Sequence, residues 1–199
     1  MHQCGVFTWS TMIRFILLHT GFIEIWNNPP QTFPRHFLDK VKSSLVDQYL
    51  QMYFKSLYND SRNNNSKNRL RTYRTFKPDH GREKYLSHIS DPYVRSSVAK
   101  LRLSSHSLMI EKGRHNNLKV QDRLCKKCDR QEIEDEYHAV MRCPYFSNQR
   151  NELFTKLSKE VHTWPTMHDQ EKFHFVMKIT EQIIPIAKFF HHILNYSSV

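Results

Sequence analysis

Three cysteines and one histidine follow the spacing Cys125-x2-Cys128-x9-His138-x4-Cys143. Thiolate sulfur and imidazole nitrogen are the donors that zinc prefers in tetrahedral sites, at about 2.0–2.3 Å from the ion. A Cys-x2-Cys turn brings two donors to one ion, and the far side of a short hairpin can supply the second pair. Because four protein ligands leave no position for a substrate or an activated water, the pattern predicts a structural Zn2+ site.

Two other interpretations of the cysteines stay open, a redox pair and unligated thiols. A redox Cys-x-x-Cys is typical of βαβ surroundings, which this sequence does not show, and it gives no role to His138 or Cys143. Cys4 lies far from the other three and is interpreted as a bystander. The chain has neither a leader-like N-terminus nor a disulfide-like spacing of cysteines, and it has no apolar run long enough for a membrane span. It is therefore expected to be intracellular, in the nucleus or cytoplasm, with no membrane partner.

Basic residues are the second chemical feature of the sequence. Lys and Arg number 30 against 19 Asp and Glu, which gives a net charge of +11. Residues 62–84 carry +6 and residues 93–130 carry +7, so these two stretches hold more than the whole excess. Basic groups bind phosphates by counterion release, and the charge predicts a DNA or RNA backbone as partner. The candidate contacts are Arg95, Arg102, Arg114, Lys119, Arg123, Lys126 and Lys127.

Each part of this charge pattern also has a plainer interpretation. A basic face that contacts only solvent remains an alternative to phosphate binding. Tyr73, Phe76 and Tyr85 lie among the basic residues and could stack on unpaired bases, but we interpret them as core.

The spacing of apolar residues predicts a mainly α-helical fold around these groups. An amphipathic helix is expected over residues 37–58, and a buried helix over residues 12–18, closed at Gly21. Asp91 followed by Pro92 indicates a helix start, and that helix is expected to reach about residue 103. Further helices are predicted over 145–161, 168–179 and 183–194. A hairpin in the metal module is the main strand-like element expected, which makes the fold class a helical domain with a small embedded zinc-binding hairpin-helix module.

The local amino-acid composition also indicates where the chain divides into segments. Residues 59–68 contain no apolar side chain and are predicted to be a polar linker, where proteolysis is favoured. The predicted parts are an N-terminal helical segment at 1–58, this linker, a basic helical segment at 69–121, the Cys-Cys-His-Cys zinc module at 122–145 and C-terminal helices at 146–199.

Several runs of residues resemble the region that follows the polymerase in non-LTR retrotransposon reverse transcriptases. The resemblance covers most of residues 12–155 and is most specific in the metal module. The runs are Gly21-Phe22-Ile23-Glu24-Ile25-Trp26, Leu70-Arg71-Thr72-Tyr73-Arg74-Thr75-Phe76-Lys77, Tyr85-Leu86, Val98-Ala99-Lys100-Leu101-Arg102-Leu103-Ser104-Ser105-His106-Ser107-Leu108, Ile110-Glu111-Lys112-Gly113-Arg114, Arg123-Leu124-Cys125-Lys126-Lys127-Cys128, Ile133-Glu134-Asp135-Glu136-Tyr137-His138 and Arg142-Cys143-Pro144-Tyr145, together with Arg150.

In that family, the Cys-Cys-His-Cys module is a nucleic-acid-binding accessory in target-primed reverse transcription. The resemblance implies that Cys125, Cys128, His138 and Cys143 are the metal ligands. It also places Arg102, His106, Arg114 and Arg123 at basic positions of the motif, which adds His106 to the candidate nucleic-acid contacts. The polymerase palm and the endonuclease have no counterpart in this sequence, so polymerase activity does not follow from the resemblance. A truncated element product is expected.

The sequence therefore predicts a non-catalytic nucleic-acid-binding accessory domain with one structural zinc. Its expected partners are a DNA or RNA backbone and a reverse transcriptase core. One alternative is a zinc-stabilised protein-interaction scaffold, whose terminal helix at 183–194 docks on a polymerase or on a second copy. A metal-dependent nuclease is another, although it would need clustered carboxylates that the sequence does not supply. The last alternative is that the chain is a non-functional relic of a retrotransposon-like element.

Overall fold

The computed structural model describes residues 8–33, 36–58, 70, 72–77 and 80–196. Helices dominate this part of the chain, and its only β pairing is an isolated antiparallel bridge between Leu124 and Ile133. The predicted fold class, mainly α with a small embedded module, is confirmed. The residues form two compact units, the first ending at Ser56 and the second beginning at Leu57.

The first unit is built from three helices. They are α1 (Trp9–His19), α2 (Ile23–Asn27) and α3 (Phe37–Tyr58), the last of which continues two residues beyond the unit. Gly21, with φ +80, adopts the left-handed conformation that lets the chain turn after α1. The side chains of Ser44 and Gln48 on α3 donate hydrogen bonds to the carbonyl oxygens of Thr20 and His19.

Helix α3 has the predicted bounds, but the predicted burial of residues 12–18 is wrong. Phe15 in α1 is 56% exposed, and Leu17 is the one apolar side chain buried among the described residues up to 56. The same pattern holds in α3, where Leu38 is 76% exposed. Three helices, one of them only five residues long, offer too little apolar surface to enclose these side chains.

The second unit contains seven α-helices among its described residues. They are α4 (Tyr73–Phe76), α5 (Tyr85–His88), α6 (Pro92–Arg102), α7 (Met109–His115), α8 (Ser147–Glu160), α9 (Asp169–Lys178) and α10 (Ile183–Asn195). Single 3-10 turns lie at Val120–Asp122, Pro144–Phe146 and Trp164–Thr166, and a π-helical turn at His138–Arg142. The predicted start of α6 is confirmed, because the Asp91 carboxylate accepts hydrogen bonds from the backbone amides of Tyr93 at 2.8 Å and Val94 at 3.3 Å.

Helix α10 lies at the centre of the core and packs along α6. Its buried side chains are Ile183, Ile186, Ala187, Phe189, Phe190, Ile193 and Leu194. The apolar face of the terminal helix is therefore occupied inside the unit. The scaffold alternative, which needed this face for a partner, loses that docking surface.

The predicted linker at 59–68 lies outside the described residues. The divisions proposed at 121/122 and 145/146 remain sequence-based predictions. None of the described helices combines the length and the hydrophobicity needed to cross a bilayer.

Candidate metal centre

The four predicted ligands come together in the second unit. One donor atom from each of Cys125, Cys128, His138 and Cys143 lies within 4.8 Å of all the others. The Cys125 and Cys143 sulfurs are 3.9 Å apart, and the Cys128 sulfur is 3.4 Å from His138 Nε2. Ligands placed 2.3 Å from a tetrahedral ion stand about 3.8 Å from one another. The donor set therefore fits a single metal ion.

A short hairpin presents the first two cysteines. Backbone hydrogen bonds flank the Leu124–Ile133 bridge, since Cys125 N donates to Glu132 O at 2.9 Å and Glu134 N donates to Arg123 O at 3.0 Å. The Cys-x2-Cys turn falls between these paired positions. The hairpin therefore keeps Cys125 and Cys128 on one short turn, where both can contribute to the cluster.

The other two ligands stand at the two ends of the π-helical turn. His138 N donates to the Asp135 carboxylate at 2.7 Å, which fixes the entry to the turn, and Cys143 N donates to His138 O at 2.7 Å. Pro144 follows at once and begins a 3-10 turn. Single π turns widen a helix and are frequent at functional sites. Here the wider turn brings His138 and Cys143 to the same cluster.

Glu132 orients the histidine ligand, a role that the sequence interpretation missed. Its Oε2 lies 2.9 Å from His138 Nδ1, which leaves Nε2 directed at the cysteine sulfurs. A carboxylate in this position fixes the tautomer and ring orientation of a metal-binding histidine. The hydrogen bond from His138 holds the pKa of Glu132 below its ordinary value. In the sequence, the only indication of this role was an acidic residue on the hairpin strand that faces the histidine.

Burial controls the protonation of the thiols. It raises the pKa of Cys125 to about 12 and also raises that of Cys143, because a thiolate is costly to remove from water. The three cysteines are free of disulfides. A metal ion would supply the positive charge that stabilises these buried thiolates, and its binding would release their protons.

Arg102 is inside the protein rather than on its surface. Its side chain is 1% exposed, and its two terminal nitrogens donate to the Glu83 carboxylate at 2.9 and 3.1 Å. The guanidinium carbon lies 4.9, 5.2 and 5.8 Å from the ring centroids of Phe76, Tyr85 and Tyr73. The interpretation of Phe76 and Tyr85 as core residues is confirmed, because both side chains are buried.

Arg123 is the second internal arginine. Its Nη1 donates to Ile110 O at 2.9 Å and its Nη2 donates to Leu118 O at 2.8 Å. Gly113 lies against its stem so closely that a Cβ there would be 2.5 Å from Arg123 Cγ. The side chain thus joins α7 to the hairpin of the metal module.

His106 is also internal. Its ring is fully buried, and its Nε2 lies 3.0 Å from Glu136 Oε1. Ser104 Oγ donates to that same oxygen at 2.6 Å, and Thr72 Oγ1 donates to the other oxygen at 3.1 Å. Glu136 is therefore the acceptor that anchors two separate segments, the loop of Ser104 and His106 and the segment of Thr72, and it lies two residues before His138.

The remaining candidate cations divide between paired and exposed positions. Arg95 donates to Ile89 O at 3.0 Å, Arg114 pairs with Glu111 at 2.7 Å, and Lys127 pairs with buried Glu134. Lys119 and Lys126 are exposed.

The assignment of Arg102, His106 and Arg123 as nucleic-acid contacts is therefore corrected. Their side chains are buried and bonded to protein acceptors, so they cannot reach a nucleic-acid backbone without unfolding their surroundings. In the motif, these three residues therefore stabilise the fold.

No family model, curated protein or solved structure matches this chain. The resemblance to retrotransposon reverse transcriptases remains an interpretation of the sequence.

Proposed function

We propose that the second unit is a non-catalytic nucleic-acid-binding accessory domain, in which one structural Zn2+ ion supports a basic surface. The observation that carries the proposal is the Cys125, Cys128, His138 and Cys143 cluster, with Lys119, Lys126 and Arg130 exposed in the sequence around its first two cysteines. The proposal extends to a role like that of the post-polymerase region of retrotransposon reverse transcriptases, with a polymerase core as protein partner.

Zinc is the metal that this donor set favours. Three thiolates and one imidazole are soft or borderline ligands, whereas calcium and magnesium require oxygen ligands. Four protein donors fill a tetrahedron, which supports a structural ion. The carboxylate of Glu132 behind His138 is the second-sphere arrangement expected of such a site.

Charge at the surface supports nucleic acid as the partner. Between residues 93 and 130, five basic side chains are exposed against two acidic ones, Asp122 and Asp129. The exposed basic residues are Lys100, Lys112, Lys119, Lys126 and Arg130. Glu83 and Glu134 are paired with Arg102 and Lys127, so these two carboxylates do not offset the exposed cations. Such a surface binds phosphates with little sequence selectivity.

Binding of a labelled single-stranded oligonucleotide to the zinc-loaded full chain, titrated at 50 mM and 200 mM salt, tests the proposal. We expect tight binding at low salt that weakens by orders of magnitude at the higher salt and is lost when zinc is removed. The double variant Lys119→Gln/Lys126→Gln should lower the slope of log K against log salt by about 2. Lys178→Gln, an exposed change on α9, is the matched control and should leave the slope unchanged.

Two results would count against this function. One is weak or salt-insensitive binding by protein that still holds one zinc ion. The other is an unchanged salt slope in the Lys119→Gln/Lys126→Gln variant, which would overturn the assignment of these two lysines as phosphate contacts.

A protein-interaction role is the second candidate, and the exposed apolar side chains of α1 and α3 favour it. Trp9, Leu38 and Met52 are 80, 76 and 71% exposed. An apolar interface changes little with salt, whereas phosphate binding falls steeply. Self-association that persists at high salt, measured by sedimentation over a range of concentrations, would support this candidate.

A further inference from the structure

A cleft of about 340 Å3 with several polar side chains in its lining lies in the second unit beside the loop that follows α6. Lys100 on α6, Ser105, His106 and Ser107 on the loop, and Lys112 on α7 contribute to its lining, and the C-terminal end of α10 closes one side. No Asp or Glu side chain is among the residues that line it. Its volume is in the range of small-molecule sites.

The loop is held in place from behind. Ser104 adopts a left-handed conformation with φ 49, and its hydroxyl and the His106 ring both bond to the buried Glu136 carboxylate. Leu108 N approaches His106 Nδ1 at 3.4 Å on the other side of the ring. Ser105 and Ser107 alternate with these anchored residues and line the cleft. The residues on either side of Ser105 are thus held in place before any ligand arrives, which lowers the entropy cost of ordering the loop on binding.

Three of these polar groups carry no bond inside the described part of the chain. The hydroxyls of Ser105 and Ser107 and the ammonium of Lys100 have no hydrogen-bond or ion-pair partner there. A hydroxyl donates one hydrogen bond and an ammonium donates three. The cleft therefore offers several donors and a positive charge to one ligand.

The geometry points to a phosphate group as that ligand, and we propose that the cleft holds one phosphate of a bound nucleic-acid strand. A cation is disfavoured by Lys100 and Lys112. The C-terminal ends of α6 and α10 carry negative partial charge, and Lys100 in the last turn of α6 offsets it. This inference rests on the proposed function, because it names the place where that function makes one of its backbone contacts.

Amide NMR spectra of the zinc-loaded full chain, titrated with inorganic phosphate and separately with a single-stranded oligonucleotide, test the site. We expect the oligonucleotide to shift the amides of residues 105–107, and inorganic phosphate at higher concentration to shift the same signals. Lys100→Gln should lower the slope of log K against log salt by about 1, and Ser105→Ala should weaken oligonucleotide binding by about tenfold. Lys178→Gln is the matched control, since Lys178 does not line the cleft.

The outcomes separate the cleft from the proposed function. If the oligonucleotide binds while residues 105–107 do not shift and Lys100→Gln keeps the parent slope, the cleft proposal is overturned and the proposed function stands. If inorganic phosphate shifts these residues and the oligonucleotide does not bind, the cleft takes a free phosphate compound, and both the strand assignment and the proposed function fail. If neither ligand shifts them and no oligonucleotide binds, both proposals are wrong.

Discussion

The described residues of the two units are mainly helical in both, yet the units differ in what they bury. Among the described residues up to 56, Leu17 and Thr20 are the only buried side chains, although α3 alone has 22 residues. The 13-residue α10 of the second unit buries seven apolar side chains. The comparison shows that amphipathic helices define apolar faces but do not by themselves make a core.

Burial of polar groups follows the same division. The second unit encloses Arg102, Arg123, Glu134 and Glu136, each with a bonded partner. Buried polar groups are tolerated when they are satisfied, and they then restrict the core to one arrangement. Among its described residues the first unit buries no charged side chain, and Thr20 is its one buried polar residue, so the two units should respond differently to the same kinds of change.

Loss of the metal should produce the largest difference between the units. Cys128→Ser removes one of four ligands, and structural zinc contributes about 10–16 kcal/mol of apparent binding free energy to folding. We expect residues 124–143 to lose hydrogen-exchange protection, while α1 and α3 keep theirs. Metal analysis should find one zinc per parent chain and much less in the variant.

Cys4→Ser is the matched control for this change and should retain one zinc ion. If Cys128→Ser keeps full zinc stoichiometry and an unchanged thermal melt, the ligand assignment is wrong.

Removal of the carboxylate beside Arg102 should have the next largest effect. Glu83→Ala leaves the Arg102 charge buried among aromatic rings with no anion, and breaking a buried pair in this way costs about 3–5 kcal/mol. Glu24→Ala, an exposed acidic residue of α2, is the same substitution in the first unit and should change the free energy of unfolding by less than about 0.5 kcal/mol. Denaturant unfolding of both variants measures the contrast. Equal small effects would mean that the aromatic rings alone stabilise Arg102.

Local signals were enough to predict much of this molecule. The helix over residues 37–58 follows from the spacing of its apolar residues, and the start of α6 follows from Asp91 and Pro92. The metal cluster follows from the spacing of four residue types, because zinc chemistry restricts both the donors and the turn between them.

Groups paired over long distances in sequence were not predictable in this way. Arg102 and His106 looked like surface cations, because their partners Glu83 and Glu136 are 19 and 30 residues away. The prediction that α1 is buried was wrong for a related reason. Apolar density shows which face of a helix should be covered, but it does not show whether any other element is there to cover it.

Truncation of the same residue type in both units sharpens the contrast in apolar packing. Leu101 on α6 is 0% exposed, so Leu101→Ala should cost about 2–5 kcal/mol through lost transfer energy and a cavity. Leu38 on α3 is 76% exposed, so Leu38→Ala should stay within about 0.5 kcal/mol. Urea unfolding of the two variants checks the pair. A large effect of Leu38→Ala would show that this side chain is covered in solution by another protein surface.

The smallest expected effect comes from two histidines of the second unit. Burial lowers the pKa of His174 and of His192, with Lys178 and His191 as further positive neighbours. The unfolded chain therefore binds protons on these residues before the folded chain does. Their contribution to stability is fully present above the ordinary histidine pKa near 6.5 and is lost as pH falls through the lower pKa values of the folded state.

His192→Gln should accordingly flatten the decrease in melting temperature between pH 7 and pH 5. Because parent and variant lose zinc alike in acid, the difference between their profiles reports the histidine. Identical profiles would mean that the ring is as hydrated in the folded chain as in the unfolded one, despite its position 4.5 Å from the Tyr196 ring and 6.2 Å from Phe146.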